Sequence, residues 1–284
     1  MKPTEITVLS GKGGTGKTTV STNLALALSR RMAVQYLDCD VEAPNGHLFL
    51  KPDIAGTIPV SRLVPKINPI RCQHGGECSD FCAYQALAAL PDKTIVYPEM
   101  CHSCGGCARL CPTGAIREVE HRIGTVTVGK ADAVDFVQGE MLVRETATVP
   151  MIRAVRKQMA TEGLAILDAP PGTTCPMVAS VRGVDAVLLV TDPTPFGLHD
   201  LKLAVEALQE LSLPAAVLLN RSGLGDQRVE EYCESARLPI WGRIPDDRAI
   251  AEAYSRGANL YEETPVMREA MDKLAERVCR EVIQ

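Results

Sequence analysis

The chain has 284 residues, enough for one large α/β domain and one small one. Its 46% apolar and 23% charged residues are ordinary for a globular protein with a sizeable core. The formal net charge of −5 includes no long run of one sign, so the charge pattern does not support a nucleic-acid partner.

The sequence also gives no sign of a membrane partner. No stretch approaches the ~18 consecutive apolar residues of a spanning helix. The apolar part of residues 1–9 is too short for a signal peptide. We therefore expect a cytoplasmic protein whose thiols stay reduced. Seven of its eleven cysteines lie between Cys72 and Cys111, and such clustering indicates metal binding rather than disulfides.

The first forty residues predict a βαβ opening. Residues 6–9 form a buried strand, 11–16 a glycine loop, 20–30 a covering helix, and 32–37 a second strand that ends at Asp38. This order implies a parallel sheet.

The pattern breaks after about residue 60, where three prolines mark a boundary and Gly/Cys/Pro-rich segments follow. Strand-like or apolar segments then return, at 126–128, 141–143, 164–167, 186–190, 215–219 and 238–244. The amphipathic segment 266–283, with balanced charges, is interpreted as the last helix covering the sheet rather than a membrane anchor.

The simplest interpretation is one α/β domain interrupted by an insertion. Residues 1–62 and 123–284 would form a mostly parallel sheet with helices on both faces, and residues 63–122 the insertion. A tandem of two domains is the weaker alternative, because the N-terminal βαβ segment alone does not cover its own sheet.

The loop from Gly11 to Thr18 fits the phosphate-binding pattern G-x-x-x-x-G-K-S/T and lies between a strand and a helix. Glycines let backbone N–H groups surround phosphate oxygens, and the helix directs its positive end toward them. Lys17 would neutralise the β- and γ-phosphates, and the Thr18 hydroxyl would bind Mg²⁺. The alternative is a glycine-rich surface turn. The predicted ATP/ADP-binding residues are Gly11, Lys12, Gly13, Gly14, Thr15, Gly16, Lys17, Thr18 and Thr19.

The early lysine, Lys12, makes this loop resemble the deviant Walker A motif of the MinD/ParA/Mrp P-loop ATPases (the SIMIBI class), relatives of the nitrogenase iron protein. Residues 38–45 resemble the first switch of that family, and residues 167–173 resemble its Walker B strand and second switch. The resemblance implies Mg-dependent ATP hydrolysis by a nucleotide-dependent homodimer. In it Lys12 contacts nucleotide across the interface, Lys17 and Asp40 act in catalysis, and Asp168, supported by Asp38, acts on Mg²⁺ through water.

Two later segments resemble the base-contacting segments of the same family. Asn220 and Arg221 match its adenine-contacting pair, and Pro245 and Asp247 lie in the second segment. The alternative interpretation is a polar strand end and a turn.

Cys101, Cys104, Cys107 and Cys111, followed by Pro112, have the spacing of a bacterial ferredoxin run. A zinc knuckle, the alternative, more often pairs two C-x2-C units across a longer gap. An earlier run has the same spacing, except that Gly75 stands where its second cysteine belongs. Its remaining cysteines are Cys72, Cys78 and Cys82.

In ferredoxin connectivity the last cysteine of each run serves the other cluster. One 4Fe–4S site would then have four thiolates, from Cys82, Cys101, Cys104 and Cys107. The other would have three, from Cys72, Cys78 and Cys111. It would hold a 3Fe–4S cluster, or a 4Fe–4S cluster whose fourth iron takes His74, water or a partner ligand, or it would be empty and structural. A cluster is the favoured outcome.

The whole arrangement resembles MinD-superfamily ATPases with an inserted two-cluster ferredoxin domain, and residues 196–200 resemble that family as well. Cys175 has the spacing from Asp168 of the cluster ligand in the nitrogenase iron protein. The favoured alternative for Cys175 is a small residue packed at a helix start.

The leading functional hypothesis is an ATP-gated protein that transfers electrons or handles Fe–S clusters with a client protein. The runner-up is a redox-sensing positioning or regulatory ATPase of the ParA/MinD type. An amide-forming synthetase of related fold is disfavoured, because the sequence has no recognisable glutaminase domain.

Overall fold

The structure is a computed structural model that describes residues 2–283. Its internal contacts divide the chain into two units. The first unit comprises Met1–Thr57, Val126–Glu140 and Ile152–Gln284, and the second comprises Ile58–Thr125 and Met141–Met151. The predicted insertion, 63–122, lies within the second unit, which begins five residues earlier and also includes a separate short segment.

The described residues form eleven strands and eleven α-helices. The strands are β1 Thr4–Leu9, β2 Val34–Asp38, β3 Asp53–Ile67, β4 Leu87–Ala89, β5 Thr94–Val96, β6 Ile116–Ala131, β7 Val134–Met141, β8 Leu164–Asp168, β9 Ala186–Thr191, β10 Ala215–Ser222 and β11 Ile240–Pro245. The helices are α1 Lys17–Ser29, α2 Gly46–Leu50, α3 Glu77–Phe81, α4 Gly106–Leu110, α5 Thr148–Arg156, α6 Cys175–Val181, α7 Pro195–Glu210, α8 Arg228–Ser235, α9 Arg248–Ser255, α10 Leu260–Glu263 and α11 Pro265–Glu281. A 3₁₀ turn covers Pro98–Met100.

Nine strands form one sheet of order β11-β10-β9-β1-β8-β2-β7-β6-β3. The pairs from β11 through β7 are parallel. Two residues join β6 to β7, and so short a connection between neighbouring strands requires an antiparallel pair. The predicted mostly parallel α/β sheet is therefore confirmed.

The first unit buries apolar side chains on both faces of this sheet. Along β9, Leu188 and Val190 belong to one apolar cluster, and Val187 and Leu189 belong to the other, because successive strand residues point to opposite faces. Helices α1 and α11 pack in the first cluster, and α6, α7 and α8 pack in the second. The predicted final helix is thus confirmed as a cover of the sheet.

The parallel register places the ends of three strands side by side. Asp168, the last residue of β8, pairs with Val8 of β1 on one side and with Asp38, the last residue of β2, on the other. The loop after β1 therefore begins beside two carboxylates that lie 130 residues apart in the sequence.

The second unit has a small apolar core. Strands β4 and β5 pair antiparallel, and the core includes Val64, Leu87 and Ile116 together with the thiols of Cys101 and Cys107. Cysteine side chains thus supply part of the core, as is common in small metal-binding units.

The predicted strand at 141–143 is wrong beyond its first residue. Strand β7 ends at Met141, and Arg144 has a φ of 75° in the turn that follows. A left-handed residue ends strand geometry whatever the apolar pattern. Among residues 2–283, no helix has the length and apolar character needed to cross a membrane.

The contact of Asn23 with α10 yields a stability prediction. The buried Asn23 side chain donates to Thr19 O at 2.7 Å and accepts from Tyr261 N–H at 2.7 Å. Asn23→Ala leaves the buried Tyr261 N–H unpaired, which is expected to lower the free energy of unfolding by about 1–3 kcal/mol in urea denaturation. The exposed Gln209→Ala on α7 is the control, expected within about 0.5 kcal/mol of wild type. Equal effects of the two substitutions would contradict this role of Asn23.

Candidate functional site

The loop after β1 has the backbone of a phosphate-binding loop. Gly14 and Gly16 adopt φ values of 80° and 96°, which glycine reaches without strain. A Cβ on Gly16 would lie 2.3 Å from Asn220 Nδ2, an amide that donates to Thr15 O at 2.7 Å. The predicted adenine-contacting Asn220 therefore lies directly against the predicted phosphate loop.

Lys17, the first residue of α1, is buried among carboxylates. Its Nζ donates to Asp168 Oδ1 at 2.7 Å and lies 3.6 Å from Asp40 Oδ2. Burial disfavours the charged ammonium, but the charges of Asp168 and Asp40 outweigh it and raise the pKa of Lys17. The lysine is therefore a permanent cation in this site.

Asp168 is fully buried and both of its oxygens have partners. Oδ1 accepts from Lys17, and Oδ2 accepts from the Tyr36 hydroxyl at 2.9 Å. Burial and the negative charges of Asp168 and Asp38 raise the pKa of Tyr36, so the phenol stays protonated and donates. No sequence motif predicts Tyr36 as a site residue; its one signal is a hydroxyl group within a strand that is buried throughout.

Asp38 holds the backbone of the predicted first switch. Its Oδ1 accepts from Asp40 N–H at 3.1 Å, and its Oδ2 accepts from the N–H groups of Asn45 and Gly46 at 3.2 and 2.9 Å. Burial and the charge of Asp168 raise the pKa of Asp38 to about 8. Asp38 thus positions the backbone of this segment, including Asp40, whose carboxylate lies near Lys17.

These residues fit the predicted Mg²⁺ ion. The carboxylates of Asp40 and Asp168 lie 3.6 and 2.7 Å from one ammonium, that of Lys17, so this point has two carboxylates and one cation. Mg²⁺ prefers such oxygen ligands. The Thr18 hydroxyl, one residue after Lys17, would bind the ion, and Asp168 would act on it through water.

Lys12 lies in the same loop as Lys17, but it contacts a different carboxylate. Its Nζ is 3.7 Å from Asp192 Oδ2 and 5.9 Å from the centroid of the Phe196 ring. Phe196 is 75% exposed, so this end of Lys12 lies near the surface of the first unit.

The other predicted base-contacting residues lie at strand ends. Arg221 follows Asn220 near the end of β10 with a φ of 52°, and Pro245 is the last residue of β11. Asp247 caps α9, because its Oδ1 accepts from Ala249 N–H at 2.7 Å and Ile250 N–H at 3.2 Å. A base contact through Asp247 stays a prediction beside this capping role.

One cavity of the second unit is lined by the four thiols predicted for a complete cluster, Cys82, Cys101, Cys104 and Cys107. Three come from the second cysteine run and the fourth from the end of the first run. The rest of its wall includes the aromatic side chains of Phe81 and Tyr84 and the polar residues His102 and Glu118.

A second cavity is lined by the three thiols of the incomplete set, Cys72, Cys78 and Cys111. His74, Gly75 and Glu77 line the same cavity. The exchange of last cysteines between the two runs is therefore present in the geometry, and cluster binding in the cavities stays a prediction.

Backbone N–H groups donate to cysteine sulfurs in both cavities. Ala86 N lies 3.3 Å from Cys82 Sγ, and Ala115 N lies 3.2 Å from Cys111 Sγ. Burial alone would raise the pKa of Cys111, but hydrogen bonds from Thr113 and Ala115 lower it. Such donors stabilise thiolates, the form that ligates iron–sulfur clusters, so the residues present fit that group.

Other cysteines are placed differently. Burial raises the pKa of Cys39 and raises that of Cys233 to about 11, so both thiols are unreactive. Cys175 is the first residue of α6, as predicted, but it is exposed, which contradicts the interpretation as a packed residue. Across residues 2–283, no group of three or more His, Cys, Asp or Glu side chains is arranged to hold a single metal ion.

Residues 6–260 match the protein family described as the CobQ/CobB/MinD/ParA nucleotide binding domain. The chain belongs to this family. The loop after β1, the Asp168 strand end and Asn220 therefore lie in a nucleotide-binding domain of MinD/ParA type.

Relatives in this family differ in how they are named. An uncharacterised protein of Methanocaldococcus jannaschii is 29% identical over 255 residues, covering 89% of each chain. An iron-sulfur cluster carrier protein of Pyrococcus horikoshii is 26% identical over 306 aligned positions, covering 98% of this chain and 86% of its own. The crystallised septum site-determining protein MinD of Pyrococcus horikoshii, with Mg-ADP, superposes with a TM-score of 0.60 at 21% identity, covering 97% of this chain and 96% of its own. That likeness establishes the MinD-like fold.

The glycine at the end of the loop yields a prediction. Gly16→Ala forces a side chain into a left-handed residue and against the Asn220 amide. We expect a loss of about 1–3 kcal/mol in the free energy of unfolding and at least about tenfold weaker ATP binding, measured by chemical denaturation and calorimetry. Gly13→Ala is the matched control for stability, since a Cβ there meets no atom within 4 Å. Unfolding energies that are equal for the two variants would contradict the strain argument.

Proposed function

We propose that this protein binds and hydrolyses ATP and couples its nucleotide state to the handling of iron–sulfur clusters with a client protein. The carrying observation is that one chain combines the Lys17–Asp168 phosphate-loop site with two cysteine-lined cavities. The two features belong to different compact units of one chain, and their presence together favours a coupled activity.

The named relatives support cluster carriage over simple electron transfer. The Pyrococcus horikoshii carrier aligns over almost the whole of this chain. The MinD structures are similar in fold alone, so the runner-up, a redox-sensing positioning ATPase, has no comparable support.

ATP hydrolysis would rest on positioning and charge. Backbone N–H groups of the loop and Lys17 would bind the phosphates, and Mg²⁺ would supply charge neutralisation between the β- and γ-phosphates. Asp40 lies 3.6 Å from Lys17 and on a backbone held by Asp38, which supports a role for Asp40 in orienting the attacking water. A phosphate bound to Lys17 would share the ammonium that now contacts Asp168, and Asp168 and Thr18 are the residues that would hold Mg²⁺.

Dimerisation would engage Lys12. The Lys12 ammonium lies 3.7 Å from Asp192 Oδ2 and the Lys12 side chain is 32% exposed, so the pair is weak. A γ-phosphate on a second copy of the chain would compete well for such a lysine. ATP would then favour the homodimer, and hydrolysis would release it.

The two cavities would hold the clusters. Cys82, Cys101, Cys104 and Cys107 would bind one 4Fe–4S cluster. Cys72, Cys78 and Cys111 would bind a second cluster with an incomplete thiolate set.

Removing the loop lysine tests the hydrolytic half. Lys17→Ala deletes the cation that contacts phosphate and leaves Asp168 without its ion pair. Mg-dependent phosphate release is expected to fall by about 100-fold or more. The exposed Lys157→Ala on the chain segment after α5 is the control and should keep wild-type turnover. Equal phosphate release by both variants would remove the ATPase assignment.

Lys12→Ala tests the coupling. The variant keeps Lys17 and should bind ADP like wild type, but it should form no dimer with a non-hydrolysable ATP analogue in light scattering. Cluster transfer to an apo-ferredoxin acceptor, followed by absorbance, should respond to the analogue in wild type and not in Lys12→Ala. Transfer that ignores nucleotide in wild type would refute coupling. ATPase rates that change with cluster oxidation, without transfer, would identify the regulatory alternative.

A further inference from the structure

The cavity of Cys72, Cys78 and Cys111 contains a carboxylate where the missing cysteine would begin. A Cβ built on Gly75 would lie 2.6 Å from Glu77 Oε2 and 3.0 Å from Oε1. A side chain at position 75 would displace the Glu77 carboxylate from this position. The Glu77 carboxylate therefore occupies the space next to Gly75 that a cysteine side chain would fill.

Both residues line the same cavity as the three thiols. Glu77 is the first residue of the short helix α3, and Cys78 is the second. Within the described part of the chain, the Glu77 carboxylate makes no hydrogen bond or ion pair. Its oxygens are therefore not committed to a protein partner.

His74 is the other side chain that offers a ligand atom here. Its Nδ1 lies 3.6 Å from Cys72 Sγ and 3.3 Å from Thr94 Oγ1. The Thr94 hydroxyl is also 3.6 Å from the same sulfur, so these three groups contact one another. This arrangement suits an imidazole that orients Cys72, a positioning role around a ligand rather than the role of the ligand itself.

We propose that Glu77 supplies the fourth ligand of the cluster bound by Cys72, Cys78 and Cys111, in place of the cysteine absent at position 75. The proposal rests on the proposed function, because it requires a four-iron cluster in this cavity. A carboxylate carries the same single negative charge as the thiolate it replaces, so the total ligand charge is unchanged. It is a harder ligand, and iron–sulfur clusters select soft thiolates.

The consequence is one exchangeable iron. A client cysteine thiol can replace Glu77: the Fe–O bond breaks, an Fe–S bond forms, and the thiol proton passes to the released carboxylate. No electron moves in this exchange. The other cavity offers four thiolates, which complete a cluster without a carboxylate, so the Glu77 cluster is the one suited to transfer.

The test is ⁵⁷Fe Mössbauer and EPR spectroscopy, with iron analysis, on the anaerobically reconstituted full chain. Wild type should contain about eight irons per chain, one of them with the Mössbauer signature of a hard ligand. Glu77→Ala should contain about seven and show a three-iron EPR signal. Gly75→Cys combined with Glu77→Ala should restore about eight irons and remove the distinct site.

Glu118→Ala is the matched control, because Glu118 is an exposed carboxylate that lines the four-cysteine cavity. It should leave all spectra as in wild type. The signal of the four-cysteine cluster, retained in Glu77→Ala, shows that this variant is folded.

Three results would overturn the proposal. Loss of the distinct iron in His74→Ala, with Glu77→Ala like wild type, would assign the ligand to His74. About seven irons and a three-iron signal in wild type would mean that no fourth iron is held, while the proposed function survives. Absence of bound iron in wild type would refute the proposed function and this proposal together.

Discussion

The buried ion pair between Lys17 and Asp168 is the contact on which the nucleotide site depends. It joins the phosphate loop to the end of β8 at 2.7 Å, with the Asp168 side chain fully buried and that of Lys17 7% exposed. Removing one member of such a pair leaves the other charge buried without compensation, which costs about 3–5 kcal/mol. Asp40 reaches the same ammonium, and Tyr36 holds the second oxygen of Asp168. One cation, Lys17, therefore links the phosphate loop, both predicted switches and the carboxyl end of β8. A ligand that competes for Lys17 acts on all of these segments.

Cysteine side chains have the central place in the second unit that the buried ion pair has in the nucleotide site. Its apolar core is small, and cysteine side chains complete it. Backbone N–H groups point at Cys82, Cys101 and Cys111, which favours thiolates at these positions. Arg62 donates to the carbonyl oxygens of Cys101 and Pro98 and pairs with Glu145, so a buried cation also fixes the backbone that carries the second run. In such a unit, ligand binding and folding share the same contacts.

Much of the fold followed from local patterns. Short apolar strands alternating with helices predicted the parallel sheet, because a strand buried on both faces is apolar throughout. The glycine loop before α1 was predicted with its position relative to β1. The segment 141–143 was misassigned, because its apolar residues are followed by the left-handed Arg144, and periodicity carries no information on that turn. The motif around Asp247 predicts a base contact, and in the structure the Asp247 carboxylate caps α9, a local role available to any aspartate before a helix.

The sequence by itself determined the chemistry of both units: the phosphate loop, the switch aspartates, and two cysteine runs of which one lacks a member. These motifs are defined by residue type and spacing along the chain, so they can be recognised without knowledge of the fold. Only the tertiary structure decided which groups share a partner. Strand register brings Asp38 and Asp168 side by side. The hydrogen bond from Tyr36 to Asp168 shows that Tyr36 belongs to the site. The turn before α3 places the Glu77 carboxylate against Gly75. Such contacts depend on strand register and on the direction of side chains, and no local pattern in a single sequence predicts either of them.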